Sequence, residues 1–298
     1  MRKWWFLLAA VVLWNLLGYV LLGSKASESK IGVSQHKTPS RLISMAPNLT
    51  EILYALDLGP NVVGVTSYSD YPPAATEKPK VGTFWEPNIE AVIAAKPDLV
   101  VLLDFPQQKD LADRLIRMGY DCLSVTLWKI DEFFDTVTTV GHATGAAPQA
   151  ERIVGDLKAN IDRLQRALAG RSRPRVLWVV QREPLRVAGR DTFINELIEL
   201  AGGQNAIGPT LHEYPPIGAE QVIASKAEVI IEPAMLAGDL AKQGEQALAH
   251  WSRFSSIPAV TEGRIHVIEG DVVSRLSPRL YQGIETITKC LHPEILGE

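Results

Sequence analysis

One long amphipathic helix divides this chain into two stretches, each of which alternates short strands with helices. Apolar residues recur at spacings of three and four through residues 148–169, so the predicted helix has one apolar and one charged face. A helix of this length would extend about 33 Å, the width of a small domain. Short apolar runs alternate with helical periodicity on both sides of it, as in parallel sheets covered by helices. We therefore predict an α/β protein of two lobes with mostly parallel sheets, joined by one long rigid helix.

The two stretches also resemble each other in sequence. Residues 89–101 and 219–231 both place a glutamate near the start of a helix, Glu90 or Glu220, and then pass through a lysine into a buried strand. The apolar run at 99–103 is too short for a helix and fits a strand buried on both faces. This internal similarity predicts two related lobes. They are placed at residues 41–146 and 171–298, with the connecting helix at 147–170.

The N-terminus predicts export. Arg2 and Lys3 precede an apolar stretch at 4–22, which is the pattern of a secretory signal. The stretch is also close to the roughly 20 residues needed to span a bilayer. Residues 1–26 therefore fit either a cleaved signal peptide or a retained membrane anchor, and a polar tether follows at 27–40. In both cases the remainder of the chain is expected in the periplasm or on the cell-surface side of the inner membrane.

Composition excludes several classes of protein. The net charge of -4, with both signs mixed along the chain, argues against a nucleic-acid-binding face. The chain has only two cysteines, Cys122 and Cys290, which we expect to be unpaired and buried because free cysteine behaves as a small apolar residue. The six histidines are scattered, which argues against a zinc or manganese site. No catalytic motif is present, so we expect neither an enzyme nor a resident cofactor or metal.

A first helix is predicted shortly after the start of the exported part. Asn48 can cap that helix, and Glu51, three residues later, can complete a capping box. An aromatic-rich loop at 68–73 follows the next strand. Because ligands of open α/β sheets bind at the carboxyl ends of the strands, this loop is a candidate for ligand contact.

Four motifs together resemble one known class of proteins. They are the loop at 68–73, the helix–strand unit at 88–100, Gly-Gly-Gln-Asn at 202–205 and Leu-Ser-Pro-Arg at 276–279. In this order, with the long helix between them, they are similar to periplasmic binding proteins for vitamin B12, siderophores and haem, and most similar to the B12 branch. The resemblance covers roughly residues 41–291. It implies the class III periplasmic binding protein fold, with cobalamin bound in the inter-lobe cleft.

The resemblance also implies the residues of the cleft. Large, flat, partly apolar ligands suit aromatic side chains by area and stacking geometry. The positions that match the family's ligand contacts, including one where an aromatic residue is replaced by leucine, are Tyr68, Phe84, Trp85, Tyr214, Asp271 and Leu185. Any one of these aromatic rings could instead be an ordinary half-buried core residue. Their shared position in loops between strands and helices favours the cleft.

The paired glutamates are implied to bind a partner. Glu90 and Glu220 match positions at which such proteins dock on a permease dimer, which works with its ATPase as an ABC importer. A simpler role is compatible with this one, because a carboxylate in the first turn of a helix stabilises the helix dipole.

Departures from the B12 pattern keep other ligands open. The cleft has fewer aromatic residues than the B12 binders, and Arg182 and Arg186 flank Leu185. Such a cleft could favour an anionic ligand, a ferric siderophore or haem. A function of another class, a membrane-tethered ligand sensor or adaptor, would fit a retained anchor.

Overall fold

The computed structural model describes residues 31–32, 38–234 and 240–295 of the chain. The signal or anchor predicted at 1–26 lies outside these residues, as does most of the tether predicted at 27–40. Within the part described, no helix is both long and apolar enough to cross a membrane.

The first lobe alternates short strands with helices. After a two-residue strand, β1 (Ile31–Gly32), its strands are β2 (Leu42–Ser44), β3 (Val62–Val65), β4 (Leu99–Leu103) and β5 (Cys122–Val125). Its helices are α1 (Pro47–Ala55), α2 (Pro73–Thr76), α3 (Ile89–Ala94), α4 (Pro106–Arg117) and α5 (Ile130–Thr144), with a 3₁₀ turn at Gly59–Asn61. The hydrophobic pattern predicts β3, β4 and β5 with these bounds, whereas α5 is not predicted.

A single helix, α6 (Ala147–Leu168), leads into the second lobe. The strands of that lobe are β6 (Arg175–Arg182), β7 (Leu185–Val187), β8 (Gln204–Asn205), β9 (Val229–Ala234) and β10 (Ile265–Glu269). Its helices are α7 (Phe193–Leu200), α8 (Ala219–Ser225), α9 (Leu240–Trp251), α10 (Pro258–Thr261) and α11 (Leu280–Leu291), with a 3₁₀ turn at Ser252–Phe254.

Both sheets are dominated by parallel pairs. From Leu42 onward the first sheet has the order β5-β4-β2-β3, with every pair parallel. The second has the order β10-β9-β6-β7; β8 also pairs with β6, and only β7 runs antiparallel. The carboxyl ends of the parallel strands in each lobe therefore share one edge, which is where α/β sheets bind ligands. The predicted α/β fold with two parallel sheets is confirmed.

The internal repeat extends to side-chain contacts. In the first lobe, Arg41 Nε donates to the carbonyl oxygens of Ala95 and Lys96, at 3.2 and 2.9 Å, where α3 ends. Asp98 Oδ2 accepts from the Arg41 N–H at 3.0 Å. Lys96 has φ = 47°, in the left-handed region that ends the helix.

The second lobe has the same arrangement. Arg175 Nε donates to the carbonyl oxygen of Ser225 at 2.9 Å, where α8 ends. Glu228 Oε2 accepts from the Arg175 N–H at 2.8 Å, and Lys226 has φ = 46°. An arginine, an acidic residue and a left-handed lysine thus join helix to strand in both lobes.

One hydrophobic core spans both lobes. It joins buried residues of α1 and β4 in the first lobe to residues of β6 and α11 in the second. Leu157, Ile161, Leu164 and Leu168 of α6 belong to it and form the predicted apolar stripe. Because α6 packs into this shared core, it is held by both lobes along much of its length.

The start of α1 differs from the prediction. The N-cap residue is Ala46, with no side-chain cap, and Asn48 Oδ1 accepts only from the neighbouring Leu49 N–H at 3.0 Å. Glu51 is 3% exposed and bonds to Arg279 of the second lobe. The predicted capping box was wrong because the helix begins at Pro47, which suits the first helical position and places Asn48 inside the first turn, and because Glu51 has a cationic partner.

Candidate functional site

A cavity of about 440 Å³ lies between the two lobes. Its walls are mostly apolar, and several aromatic rings are among them. The first lobe contributes Asn48, Phe84, Trp85, Leu103, Asp104, Phe105, Gln107, Leu127, Trp128 and Lys129. The second contributes Asp191, Thr192, Phe193, Glu213, Tyr214, Ser274, Arg275 and Leu276. An apolar cleft with a few charged groups is the usual form of a small-molecule site.

A tight turn presents Phe84 and Trp85 to the cavity. Thr83 and Glu86 close it, because the Thr83 N–H donates to the Glu86 carbonyl oxygen at 3.0 Å and the Glu86 N–H to Thr83 Oγ1 at 2.9 Å. The turn begins at Gly82, whose φ is +96° and whose added Cβ would lie 2.5 Å from the Asn88 nitrogen. Only glycine fits there, and the two aromatic residues are thereby fixed at the cavity edge.

The aromatic rings of the first lobe pack on one another. The ring centroids of Phe84 and Trp85 lie 4.0 Å apart in an edge-to-face arrangement, and those of Phe84 and Phe105 lie 4.8 Å apart. Trp85 is 61% exposed and Trp128 is 58% exposed. Exposed tryptophans beside a cavity offer a large area that a flat ligand can cover.

The side chain of Gln108 joins three backbone segments near this wall. It is fully buried; its amide nitrogen donates to the carbonyl oxygens of Met45 at 2.7 Å and of Phe84 at 3.3 Å. Its Oε1 accepts from the Leu103 N–H at 2.7 Å. One buried amide therefore ties the ends of β2 and β4 to the aromatic turn, because its polar atoms have no other partner inside the lobe.

Buried hydroxyl groups anchor the loop that carries Tyr68. Thr50 Oγ1 lies within hydrogen-bond distance of Ser44 Oγ, at 2.8 Å, and of Ser69 Oγ, at 2.9 Å, and Ser69 Oγ also lies 2.9 Å from Thr66 Oγ1. The loop is thus attached to α1. It reaches the second lobe through the ion pair between Asp70 and Arg275.

A network of ion pairs crosses between the lobes beside the cavity. Arg279 binds Glu51 with two nitrogens, at 2.8 and 2.6 Å, and binds Asp271 at 2.7 Å. Arg275 binds Asp271 at 2.5 Å and Asp70 at 3.0 Å, and lies 3.6 Å from Glu51. Two arginines at the start of α11 therefore hold carboxylates of both lobes.

The pKa of Arg279 shows how firmly this network holds its charge. Burial alone would lower the pKa, but hydrogen bonds to Glu51 and Asp271 raise it above the ordinary arginine value. The guanidinium carbon also lies 3.9 Å from the ring centroid of Tyr71, a cation–π contact. Arg279 is therefore charged at neutral pH.

A second set of contacts crosses at the other side of the cavity. Lys129 Nζ lies 2.7 Å from Asp191 and 3.9 Å from Glu196, both in the second lobe. Glu196 Oε2 also accepts from the Ile130 N–H at 2.8 Å. Glu132 accepts from the Trp128 N–H at 2.6 Å, which orients the segment carrying that tryptophan.

The structure brings three of the predicted ligand contacts to one cavity. Phe84 and Trp85 line it from the first lobe and Tyr214 from the second. Burial and the neighbouring Glu213 raise the pKa of the Tyr214 hydroxyl, so its ring remains neutral.

The other predicted contacts lie outside the lining of this cavity. Tyr68 is 60% exposed on its loop. Asp271 is bound by Arg275 and Arg279. Leu185 is half-buried and packs against a separate hydrophobic cluster within the second lobe. Their role as ligand contacts stays a prediction.

The two arginines proposed for an anionic ligand also lie outside this lining. Arg182 donates through Nε and Nη2 to Glu232, at 2.9 and 2.5 Å. Arg186 is exposed and donates to the Tyr214 carbonyl oxygen at 3.1 Å. Arg275 is the arginine that lines the cavity. The sequence offered one signal for it, its spacing of four residues from Arg279.

Glu90 and Glu220 are exposed in the first turns of α3 and α8. Asn88 caps α3, because its Oδ1 accepts from the Ala91 N–H at 3.0 Å. Gln221 Oε1 accepts from the Gly218 N–H at 3.0 Å at the start of α8. Both carboxylates are free of steric cover and available to a partner.

The cysteines are free thiols. Burial is the main cause that raises the pKa of Cys122 to about 12 and of Cys290 to about 11. Cys122 is buried, as expected, whereas Cys290 is only half-buried. Across residues 31–32, 38–234 and 240–295, no three histidine, cysteine or acidic side chains are grouped to hold a metal ion.

Comparison with known proteins identifies one family. The family described as periplasmic binding protein matches residues 42–272. An uncharacterized ABC transporter substrate-binding lipoprotein of Bacillus subtilis is 29% identical over 275 residues, which cover 89% of this chain and 84% of the relative.

Two solved structures show the same fold. The periplasmic vitamin B12-binding protein of Vibrio cholerae is 25% identical, with a TM-score of 0.72 over 85% of this chain and 97% of that one. A periplasmic haem-binding protein of Roseiflexus is also 25% identical, with a TM-score of 0.72 over 86% and 99%. All three are described as binding proteins, not as enzymes.

Proposed function

Because the chain belongs to the periplasmic binding protein family, of the type that binds vitamin B12, haem or siderophores, we propose that its own ligand is a corrinoid. The cavity between the lobes holds the ligand without covalent chemistry. The protein then delivers it to the permease of an ABC importer.

The observation that carries the proposal is the stack of aromatic rings in the first lobe. Phe84 contacts both Trp85 and Phe105, and the exposed face of Trp85 lies at the cavity. A corrin ring offers a broad, partly apolar face to such a wall. Covering exposed apolar area contributes about 25 cal/mol per Å², so one indole face contributes a large part of the affinity.

The polar groups of the cavity suit a ligand rich in amides. Tyr214 remains a neutral phenol, and Ser274 adds a hydroxyl group to the lining. Neutral donors and acceptors match the peripheral amides of a corrinoid. They fix its orientation, while the rings supply the area.

Haem is the second candidate, supported by the similarity to the Roseiflexus haem-binding protein. Among the residues lining the cavity, Tyr214 is the one whose side chain is a common ligand of ferric haem iron. Burial and Glu213 raise the pKa of Tyr214, which opposes the phenolate that iron would need. We therefore place haem second to the corrinoid.

Delivery is assigned to Glu90 and Glu220. They occupy equivalent positions in the repeated helix–strand unit, and both are exposed. A permease built from two copies of one subunit would present two equivalent cationic sites to them. Carboxylates on the rim of an interface steer such docking.

Titration of the full-length protein, purified in mild detergent, with cyanocobalamin tests the proposal. We expect saturable one-to-one binding by calorimetry, tighter than about 1 µM or about 8 kcal/mol. Tryptophan fluorescence should fall on binding, because Trp85 lies at the cavity. Trp85→Ala should weaken binding at least tenfold, about 1.4 kcal/mol.

The matched control is Met118→Ala, which removes an exposed apolar side chain outside the cavity lining and should leave the affinity unchanged. Saturable binding of haemin with none of cyanocobalamin would contradict the proposal and assign the cavity to haem.

A further inference from the structure

Both cations that line the cavity are already bound by carboxylates. Lys129 is bound to Asp191 at 2.7 Å. Arg275 is bound to Asp271 at 2.5 Å and to Asp70 at 3.0 Å. The charge of each cation is therefore already balanced by carboxylates of the protein before a ligand arrives.

The charge of the network around Arg275 adds to this effect. Three carboxylates, Glu51, Asp70 and Asp271, face two guanidinium groups, Arg275 and Arg279, so the cluster carries one excess negative charge. The side chain of Arg275 is 23% exposed and the side chain of Glu51 is 2% exposed, so water screens these charges only in part. An anionic group placed in the cavity beside Arg275 meets a net repulsive field.

We propose that Arg275 and its carboxylates set the charge specificity of the cavity: it accepts corrinoids without net negative charge and disfavours anionic macrocycles. This inference rests on the corrinoid assignment and narrows it. Selection against a competitor by unfavourable charge is a common source of specificity. Asp70 supplies one of the three negative charges, and its exposed side chain makes it the carboxylate through which the charge of the network can be changed.

Asp70 can be changed without disturbing the rest of the network. It is exposed, and its ion pair is with Arg275 alone, whereas Asp271 also binds Arg279. Asp70→Asn makes the cluster neutral and leaves Arg275 attached to Asp271. The variant should fold as the parent does, because exposed ion pairs contribute little stability.

The test compares two ligands of nearly the same size and shape that differ in charge. They are cyanocobalamin and a polycarboxylate made from it by hydrolysis of peripheral amides, titrated by calorimetry into the full-length protein at low salt. The parent protein should bind the neutral ligand more tightly. In Asp70→Asn the ratio of the two dissociation constants should shrink by about two- to fivefold, the range of an exposed ion pair.

Two further variants separate this account from a general charge effect. Glu294→Gln removes one negative charge from an exposed ion pair with Arg171, outside both the network and the cavity lining, and should leave the ratio as in the parent. Adding Arg275→Gln to Asp70→Asn should restore the parent ratio. An unchanged ratio in Asp70→Asn, or an equal change in Glu294→Gln, would overturn the inference.

Failure of the corrinoid assignment can be distinguished from failure of the charge inference. If neither corrinoid binds the parent protein, that assignment fails, and haemin with its dimethyl ester becomes the ligand pair in the same detergent. The ratio of their dissociation constants should then shrink in Asp70→Asn relative to the parent. A ratio that does not move would overturn the charge inference for that ligand as well.

Discussion

The two lobes share a scaffold and differ at the edge where they meet. Each carries an arginine bound to the end of a helix, an acidic residue bound to that arginine's backbone, and a left-handed lysine between helix and strand. These features fix how the helix enters the sheet. Because they lie away from the cavity lining, they are the same in both lobes.

At the cavity the lobes contribute different chemistry. The first lobe presents the tight turn with Phe84 and Trp85. The second presents Arg275 and, behind it, Arg279, which reach the carboxylates of the first lobe. The difference teaches that the repeated unit supplies the framework, whereas the segments around the cavity place most of its aromatic rings in the first lobe and Arg275 in the second.

The largest expected effect comes from breaking the buried pair across the lobes. Glu51→Gln should lower the free energy of unfolding by about 3–5 kcal/mol, because it removes the carboxylate that binds two nitrogens of the buried Arg279 and leaves only Asp271 to balance its charge. Replacing both residues, Glu51→Leu with Arg279→Met, should recover most of the loss. Denaturant titration followed by circular dichroism measures all three proteins.

An exposed pair within the second lobe is the control. Arg171 and Glu294 lie 3.0 Å apart at the surface, and Glu294→Gln should cost less than about 1 kcal/mol. Equal losses for Glu51→Gln and Glu294→Gln would show that the inter-lobe pair has no special role.

Ring substitutions sharpen the division between the lobes. Phe84→Ala should weaken cyanocobalamin binding by about 10- to 100-fold, since it removes contacts with Trp85 and Phe105. Tyr214→Phe keeps the ring and removes only the hydroxyl, so it should change affinity by less than about threefold. Calorimetry measures both, and a larger loss for Tyr214→Phe would reverse the assigned roles.

The docking glutamates test the symmetry of the scaffold. Glu90→Ala and Glu220→Ala should each reduce uptake of radiolabelled cyanocobalamin by cells several-fold and to a similar extent, because the two positions are equivalent. The double variant should reduce it further, while ligand affinity of the purified proteins stays unchanged. If one glutamate alone mattered, the repeated unit would not be the docking element.

The smallest expected effect is a pH dependence confined to the second lobe. Burial lowers the pKa of His266 and of His250, with nearby arginines adding to the effect. In the unfolded chain these histidines therefore bind protons below about pH 6.5, whereas in the folded lobe they bind protons only at lower pH. Stability should fall as the pH drops through that value.

Unfolding at pH 7.5 and 5.5 measures this dependence, and His266→Asn should reduce it. A pH dependence that is identical in His266→Asn would place its origin elsewhere.

Much of the framework could be predicted from the sequence. Runs such as Val62–Val65 and Leu99–Leu103 are apolar throughout, because strands of a parallel sheet are buried on both faces. The stripe of α6 was equally clear, since its apolar residues recur at helical spacing. Helix α5 was missed because threonines interrupt its apolar pattern, although Phe133, Val137 and Val140 are buried.

The candidate site was harder to predict. Aromatic rings at strand ends indicated Phe84, Trp85 and Tyr214. The contact between Arg275 and Glu51 was not predicted, because the two residues lie 224 positions apart and only the folded chain brings them together. In the sequence, a buried glutamate with a distant partner cannot be told from a glutamate that completes a capping box.

Crystal structures of the protein, free and with cyanocobalamin, test the central account most directly. The account predicts the corrin against Phe84 and Trp85, Arg275 still bound to Asp70 and Asp271, and lobes that rotate by less than about 15° on the rigid α6. A ligand outside this cavity, Arg275 turned away from its carboxylates onto the ligand, or a wide closure of the lobes would contradict it.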